Sequence, residues 1–393
     1  EAMTVVVAVG GAADSAGNTN TAASNNFGWT HDATAPTSAG AVLAVGGSGA
    51  GNNADVVTLT LTPSEAVNTP TCTFTSDGDA MAGTVTYTTS SSDHIASVTV
   101  ADGDSDGAVA FSCTYSDLAG NSIASAITSA SSGSVTIDNT HPTITTVAVA
   151  GATEDGYGVA STYVVTITPS ETLSAVPTLT VTGGSITTAG AASGSNYVYT
   201  VTPTDNDEAM TVVVAVGDAT DSAGNANTAA SNNYGWTHDA TAPTITTVAV
   251  TGATEDGYGT ASTYVVTLTP SETLGAVPTL TVTGGSITTA GAASGSNYVY
   301  TVTPTDADEA MTVVVAVGGA ADSAGNTNTA ASNNFGWTHD ATAPTITTVA
   351  VAGATEDGYG VASTYVVTIT PSETLGAVPT LTVTGGSITT AGA

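Results

Sequence analysis

Carboxylates are the residues of this sequence best suited to do chemistry. The chain carries 33 Asp and Glu residues and no Lys or Arg, which gives a formal charge of −33. One acidic segment, Thr-His-Asp-Ala-Thr-Ala-Pro-Thr, occurs at 30–37, 237–244 and 338–345, and a shorter relative, Asp-Asn-Thr-His-Pro-Thr, occupies 138–143. Proline fixes its own φ and biases the preceding residue to extended geometry. We therefore interpret these segments as stiff hinges between like modules, each carrying at least one carboxylate.

The charge excludes several classes of function. No basic side chain is present to neutralise phosphates, so an ordinary nucleic-acid-binding role is excluded, as is attraction to an anionic membrane surface. Schiff-base lysines, arginine clamps and Lys–Asn crosslinks are excluded in the same way. No apolar run approaches the roughly 18 residues of a membrane span, and no signal peptide is visible because Glu1 falls inside a repeat. Because the sequence contains no Lys or Arg, inorganic cations must supply most of the counter-charge.

Internal repetition sets the positions of the modules. The hinge prolines are Pro36, Pro142, Pro243 and Pro344, and the last three are 101 residues apart. The sequence therefore predicts the C-terminal part of one module, a divergent module, two near-identical modules and the N-terminal part of another. Their predicted bounds are 1–35, 36–141, 142–242, 243–343 and 344–393.

The two complete repeats differ at nine positions, none of which changes the apolar pattern of a strand. The sequence starts and stops inside a module, because Glu1 aligns with Glu309 and Ala393 with Ala292. Domains do not begin in the middle of a fold. We therefore expect the sequence to be a window from a longer repeated polypeptide.

Short alternating runs indicate an all-β fold. In the module 142–242 we predict strands at 143–149, 163–168, 178–182, 197–201, about 210–216 and 233–237, with a short edge piece at 185–188. Tyr163, Val165 and Ile167 share one face of the second strand. Six or seven short strands in about 100 residues, with turn signals every 8–12 residues, are typical of an immunoglobulin-like sandwich. The predicted fold class is all-β, with tandem immunoglobulin-like β-sandwich domains of about 101 residues.

Three motifs carry a resemblance to a known family. They are the Asp-x-Thr-Ala-Pro junction, the Pro-Ser-Glu-Thr turn, and the Asp-x-x-Gly-Asn loop at 117–121, 221–225 and 322–326. Together they resemble the tandem bacterial-type Ig-like repeats of giant surface proteins and adhesins. The resemblance implies an extracellular array, and many such arrays take calcium at their junctions.

Sandwich geometry predicts where the carboxylates converge. The hinge before the first strand, the turn between the second and third strands, and the last inter-strand loop lie at one pole, facing loops of the preceding module. At the junction before Pro243, this gathers eight candidate ligands: Glu154, Asp155, Asp205, Asp207, Asp239, Glu272, Asp322 and Asn326. Calcium takes six to eight oxygen ligands in irregular geometry, and without a cation such carboxylates repel one another. We therefore expect calcium at the inter-domain junctions. The alternative is a solvated acidic rim screened by salt.

The cysteines and the histidines are the other residues with functional chemistry. Cys72 and Cys113 both point inward in the divergent module, so we expect a disulfide across the sandwich; the alternative is two buried thiols. The repeated hinge histidines, His31, His238 and His339, suit packing or hydrogen bonding better than catalysis, because a catalytic site is seldom copied along an array. Outward Thr and Ser could carry O-linked glycans or reflect β-propensity alone.

The functional expectation is a non-enzymatic structural protein outside the cell, on the cell surface. Its modules would form the shaft of a filament, appendage or sheath, with copies of itself as partners, no nucleic acid and no membrane span. The alternative is the extender region of a calcium-stiffened adhesin. The divergent module differs in length, cysteines and loops, including Gly47–Asn53. Because breaking the equivalence of identical contacts needs a different module, we expect it to mark where neighbouring chains meet.

Overall fold

β-Strands are the regular secondary structure of the chain. The computed structural model describes residues 1–46 and 49–390, so Gly47 and Ser48 of the predicted divergent loop lie outside the described residues. Within this part of the chain, no helix is long and apolar enough to cross a membrane. The all-β prediction is confirmed.

The chain forms two compact units. The first consists of residues 1–156 and 160–238, and the second of residues 157–159 and 239–393.

The first unit begins with a two-stranded ribbon and the divergent module. The ribbon pairs β1 (Ala2–Val5) with β2 (Phe27–Thr30). The divergent module has nine strands: β3 (Ser38–Val45), β4 (Ala50–Gly51), β5 (Val56–Pro63), β6 (Thr71–Ser76), β7 (Asp79–Ala80), β8 (Thr86–Ser90), β9 (Asp93–Thr99), β10 (Gly107–Thr114) and β11 (Thr136–Ile137). One sheet has the order β3-β5-β9-β8 and the other β4-β11-β10-β6-β7.

The following repeat has the same plan and belongs to the first unit, except for residues 157–159 and Asp239. Its strands are β12 (Ile144–Ala150), β13 (Tyr157–Gly158), β14 (Tyr163–Pro169), β15 (Thr180–Thr182), β16 (Gly184–Ser193), β17 (Asn196–Pro203), β18 (Asp207–Val213) and β19 (Tyr234–Asp239). One sheet has the order β12-β14-β17-β16, and β19, β18 and β15 are neighbours in the other.

The second unit repeats this arrangement. Its complete module contains β20 (Ile245–Thr251), β21 (Tyr258–Gly259), β22 (Tyr264–Pro270), β23 (Leu280–Thr283), β24 (Gly285–Ser294), β25 (Asn297–Pro304), β26 (Asp308–Val315) and β27 (Phe335–Asp340). The sheet orders are β20-β22-β25-β24 and β21-β27-β26-β23. A further ribbon pairs β28 (Ile346–Ala352) with β29 (Val366–Pro371).

Alternation along the strands builds one hydrophobic core in each complete sandwich. Tyr163, Val165 and Ile167 are fully buried, as the period-2 pattern predicted, and Trp236 closes the same core. The corresponding cores form from residues 41–137 and 248–337. Burying such side chains contributes about 1.5–3 kcal/mol each. Each sandwich therefore has its own source of stability.

Two strand predictions need correction. The predicted edge piece at 185–188 is the ten-residue strand β16, because its Thr and small residues continue the pairing with β17 as far as Ser193. Val216 was predicted to line the core with Met210, but β18 ends at Val213 and Val216 is 61% exposed. The positive φ of Gly217 marks the turn that carries the chain away there.

The two cysteines form a disulfide within one sheet. Cys72 on β6 lies directly opposite Cys113 on β10, and the sulfur atoms are bonded. The prediction of a disulfide is confirmed, but the prediction that it crosses the sandwich is wrong. Both side chains do point inward, but they belong to neighbouring strands of the same sheet.

Reduction of this disulfide should destabilise the divergent module. Closing a loop with a sequence separation of 41 residues restricts the unfolded chain and contributes roughly 2–4 kcal/mol. We expect amide hydrogen exchange to speed up on β6 and β10 after reduction, with residues 142–238 unchanged. A Cys72→Ala, Cys113→Ala variant is the control and should not respond to the reductant. Equal exchange in oxidised and reduced protein would show that the disulfide adds no stability.

Candidate metal sites at the hinges

Three groups of carboxylates recur, one at each of three hinges. They are Asp32, Glu65 and Asp117; Asp138, Glu171 and Asp221; and Asp239, Glu272 and Asp322. In each group one carboxylate oxygen per residue lies within 4.8 Å of those of the other two. The first Asp comes from the hinge, the Glu from the Pro-Ser-Glu turn, and the second Asp from the Asp-x-x-Gly-Asn loop. We call each set a hinge triad.

The hinge aspartate is held by the backbone of its own hinge. The amide of Thr140 donates to Oδ1 of Asp138 at 3.1 Å, and Thr34 donates to Asp32 at 3.0 Å. Asp and Asn side chains favour this contact to an amide two residues on. One oxygen of the hinge carboxylate is thereby engaged in each case.

The glutamate is positioned by a pair of hydrogen bonds between its turn and the hinge. Thr143 donates its amide to the hydroxyl of Ser170 at 3.0 Å, and the Ser170 amide donates to the carbonyl of Thr143 at 2.8 Å. The pair recurs between Thr244 and Ser271. Because Glu171 follows Ser170 directly, the pair holds its side chain beside the hinge.

The second aspartate is held by its own loop. Oδ1 of Asp221 accepts the amides of Ala223, Gly224 and Asn225 at 2.8–2.9 Å, and the side chain is 2% exposed. A positive φ at Gly224 lets the loop close around the carboxylate. The Nδ2 group of Asn225 then donates both to Oδ2 of Asp221 and to the carbonyl of Asp138. This asparagine therefore joins the loop to the hinge.

The same contacts form at the other two triads. Asn326 donates Nδ2 to Oδ2 of Asp322 and to the carbonyl of Asp239, both at 2.9 Å. Asn121 bonds Asp117 and the carbonyl of Asp32 likewise, at 2.7 and 3.1 Å. We call this contact the asparagine clamp.

The electrostatics of the triad of Asp138 disfavour three charged carboxylates. Burial, followed by repulsion from Asp138, Asp221 and Asp106, raises the pKa of Glu171. Burial also raises the pKa of Asp138, with Asp221 and Asp106 adding to the shift. Oε1 of Glu171 is buried and has no hydrogen-bond partner among the described residues. A buried carboxylate oxygen without a donor is costly, and a cation would satisfy it.

A fourth carboxylate lies beside the triad of Asp138. Asp106 accepts the amide of Asn139 at 2.6 Å and the hydroxyl of Thr140, both hinge residues. Asp308 holds Thr342 in the same way at 2.8 Å. Asp106 and Asp308 therefore fix the hinge from the module that precedes it.

The triad at the hinge before Pro243 contains only part of the predicted set. Asp239, Glu272 and Asp322 converge, and Asn326 contacts them through its amide nitrogen as a donor, where an oxygen ligand was expected. Glu154, Asp155, Asp205 and Asp207 are exposed and are not members of a triad. The amide of Asp155 donates to the carbonyl of Gly235, which places that loop beside β19.

Sequence reasoning named one triad and missed the equivalent residues of the other two. The signal that identifies them is the recurring set of a hinge Asp, a Pro-Ser-Glu turn and an Asp-x-x-Gly-Asn loop. The role of the serine was also missed. It could have been found because Ser64, Ser170, Ser271 and Ser372 each follow a hinge Thr by 27 residues.

Two of the three hinge histidines, His238 and His339, pack and form hydrogen bonds as expected, whereas His31 is exposed. Nδ1 of His238 lies 2.7 Å from the hydroxyl of Tyr163, and the two rings meet edge to face. His339 and Tyr264 repeat the contact in the second unit, and both histidines are buried. These histidines therefore lie under the hinge as part of the cores.

Loss of an asparagine clamp should loosen its hinge. Asn225→Ala removes the donor to the carbonyl of Asp138 and one donor to buried Asp221, so we expect roughly 1–3 kcal/mol of destabilisation. Faster hydrogen exchange at the amide of Thr140 would show the loosening directly. Asn18→Ala is the matched control. Asn18 donates to Asp14 in the equivalent loop near the start of the chain, but this contact is exposed. Unchanged exchange at Thr140 would exclude the clamp as a restraint.

The hinge at Asp138 should lose stability as pH rises when a chelator is present. Folding raises the pKa of Glu171 above its ordinary value of 4.5, so the folded state favours the protonated form. That stabilisation is complete below the ordinary pKa and is lost as pH rises through the raised one. Denaturant unfolding across this range should show the decline, and Glu171→Gln should flatten it. Glu154→Gln is the control and should leave the slope as in wild type; a wild-type slope in Glu171→Gln would contradict the assignment.

One known protein family matches part of the chain. Residues 138–236 match the bacterial Ig-like domain family. No curated protein matches the chain. Among solved structures, an I-band fragment from titin has a TM-score of 0.32 and 12% identity, covering 78% of this chain and 97% of its own. The full ectodomain of mouse nectin-like molecule 4 has a TM-score of 0.24 and 11% identity, covering 74% and 95%. At such TM-scores neither likeness carries an argument.

The fold of the matched residues recurs along the chain because the sequence repeats itself. Residues 243–343 differ from 142–242 at nine positions, and their strands, core and triad coincide. The divergent module keeps the same two-sheet plan and the same triad. The chain is a tandem array of Ig-like repeats, of which residues 138–236 match the bacterial Ig-like domain family.

Proposed function

We propose that the chain is a non-enzymatic structural protein of the cell exterior, forming the shaft of a surface filament, appendage or sheath. The observation that supports this most is the copying of the hinge. Three features recur at successive hinges. They are the pair of hydrogen bonds between the hinge Thr and the turn Ser, the asparagine clamp and the carboxylate triad. A catalytic site needs one copy, whereas an array under mechanical load needs the same joint at every module.

Composition supports the same proposal. The absence of Lys and Arg removes every trypsin site, which suits an exposed fibre. The charge of −33 opposes random association with other polyanions and between copies. The disulfide of the divergent module suits an oxidising exterior.

Calcium is the cation that best suits the triads. Each triad offers only carboxylate ligands, which favours hard cations over zinc or copper. Each residue of a triad offers one converging ligand oxygen, and water would complete the six to eight oxygens that calcium uses. The buried Oε1 of Glu171, which has no hydrogen-bond partner among the described residues, supports a cation at that triad. We propose calcium bound by the hinge triads as a stiffener of the joints.

Calcium should raise the melting temperature of the chain. A ligand that binds only the folded form stabilises it by about 2.7 kcal/mol at a free concentration 100 times its Kd. Replacing Asp239 with Asn and Glu272 with Gln should abolish that gain for the second unit. Glu255→Gln with Asp256→Asn removes the same charge outside the triads and should leave the gain intact. The same melting temperature in calcium and in chelator would reduce the triads to solvated acidic surface.

Electron microscopy of the native material tests the shaft. Fibres with several chains in cross-section support a filament or sheath. Single unbranched strings ending in a separate head would instead identify the chain as an adhesin extender, the alternative considered above.

A further inference from the structure

One edge of the repeat sandwich is left open. In the four-stranded sheet β12-β14-β17-β16, β12 forms one edge, and β20 has the same place in the second unit. Among the described residues, no backbone hydrogen bond reaches the outer side of either strand. We call this side of β12 and β20 the open edge.

The divergent module covers the equivalent edge with its own chain. Val42 on β3 forms a parallel bridge with Ser132. The amide of Leu43 donates to the carbonyl of Ser132 at 3.1 Å, and the amide of Ser131 donates to the carbonyl of Ala41 at 2.7 Å. The approach is close, because a Cβ added to Gly133 would lie 1.9 Å from the carbonyl oxygen of Leu43. This cover occupies the positions that an added strand would use.

A difference in loop length explains the contrast. In the divergent module, Ile127 pairs with Cys113 and Val135 bonds Val109, so seven residues, 128–134, connect the two contacts. In the second unit, Ser332 bonds Val315 and Trp337 pairs with Met311, which leaves four residues, 333–336. The shorter connection continues directly into β27. The repeats therefore lack the residues that would reach their open edge.

The register identifies the backbone groups at the open edge. Val42 faces Thr60 as Ala148 faces Thr166, so Ala148 corresponds to Val42. In the divergent module, the backbone groups that are covered belong to Ala41 and Leu43, on either side of Val42. By the same geometry, Val147 and Val149 turn their N–H and C=O groups outward from β12, and Val248 and Val250 do so from β20. Unpaired strand groups of this kind are a template for another strand.

From Val147 to Ala150 the open edge also lacks the usual protection against pairing, because the one register shift of β12 lies at its start, between Ile144 and Thr146. Natural sheets block their edges with charged residues, prolines or bulges, and β12, β14, β16 and β17 contain no charged residue. The opposite edge, β16, is bulged at two places. Gly190 lies in one bulge against the ring of Tyr199. The pairing-competent edge is therefore β12 and not β16.

The charge distribution restricts where two copies of the chain can meet. Two copies that each carry −33 repel wherever their acidic loops meet. The neutral strands of this sheet are where like-charged copies can approach closely. Antiparallel strands of the same sequence also satisfy a two-fold axis, which makes the contact self-complementary.

We propose that β12 and β20 pair antiparallel with the same strands of a second copy of this chain, joining arrays side by side. The inference deepens the proposed shaft function and rests on it only in supposing that copies lie together. Each chain offers the edge repeatedly, so weak single contacts add by avidity. The structure thus favours the repeats as the contacting modules, in contrast to the sequence-based expectation for the divergent module.

The test compares the full chain with two variants in high salt, which screens the repulsion between copies. Ala148→Glu with Ala249→Glu places carboxylates on the exposed side chains of the open edge, facing their symmetry mates. We expect the self-association measured by sedimentation to weaken roughly tenfold. Val42→Glu is the matched control at the covered edge and should associate as wild type does.

Site-resolved hydrogen exchange identifies the surface used. On association of the wild-type chain, the amides of Val149 and Val250 should become protected, while those of Leu43 and Thr60 should not change. A wild-type chain that stays monomeric, association without protection at Val149 and Val250, or equal association of the edge variant would each overturn the proposal. Both measurements are made with chelator present as well as with calcium, so that failure of the calcium proposal is distinguished from failure of pairing.

Discussion

The absence of Lys and Arg is the constraint on which the rest of the structure depends. A buried carboxylate normally finds an Arg or Lys partner, and here it must find N–H groups or cations. Asp221 meets this need with three backbone amides and an asparagine amide, and Asp104 with the amides of Ala82 and Ala101. The loops that surround these aspartates therefore have fixed shapes, and those shapes set where the hinges run.

The same constraint turns the acidic turn at 102–106 into a structural element. Its alternating aspartates have the spacing of a calcium loop. In the structure, Asp104 caps two amides and Asp106 holds Asn139 and Thr140 of the hinge. Spacing alone therefore does not distinguish a ligand set from a hydrogen-bonding set. Convergence of the oxygens does, and only the hinge triads show it among the described residues.

The fold could be predicted from sequence because alternation and turn chemistry are local. Tyr163, Val165 and Ile167 follow period 2 and are buried, and the Gly217 turn ends the alternation before Val216. The open edge could not be predicted, because it depends on a connection only three residues shorter than its counterpart. Of the candidate site, sequence identified Asp239, Glu272 and Asp322. Glu154 and Asp155 were predicted at the same pole of the sandwich but do not join the triad. A pole is wider than the reach of a carboxylate side chain, so sharing a pole does not bring carboxylates together.

The disulfide gives the divergent module a different response to pulling. A repeat that unfolds under tension can release its whole chain, at about 3.3–3.6 Å per residue. In the divergent module, the bond between Cys72 and Cys113 shields the segment between them from the load, with a sequence separation of 41 residues. Its released length is therefore shorter by about 140 Å. In a stretched array the divergent module therefore extends less than a repeat does. Reduction of the single disulfide would remove this difference.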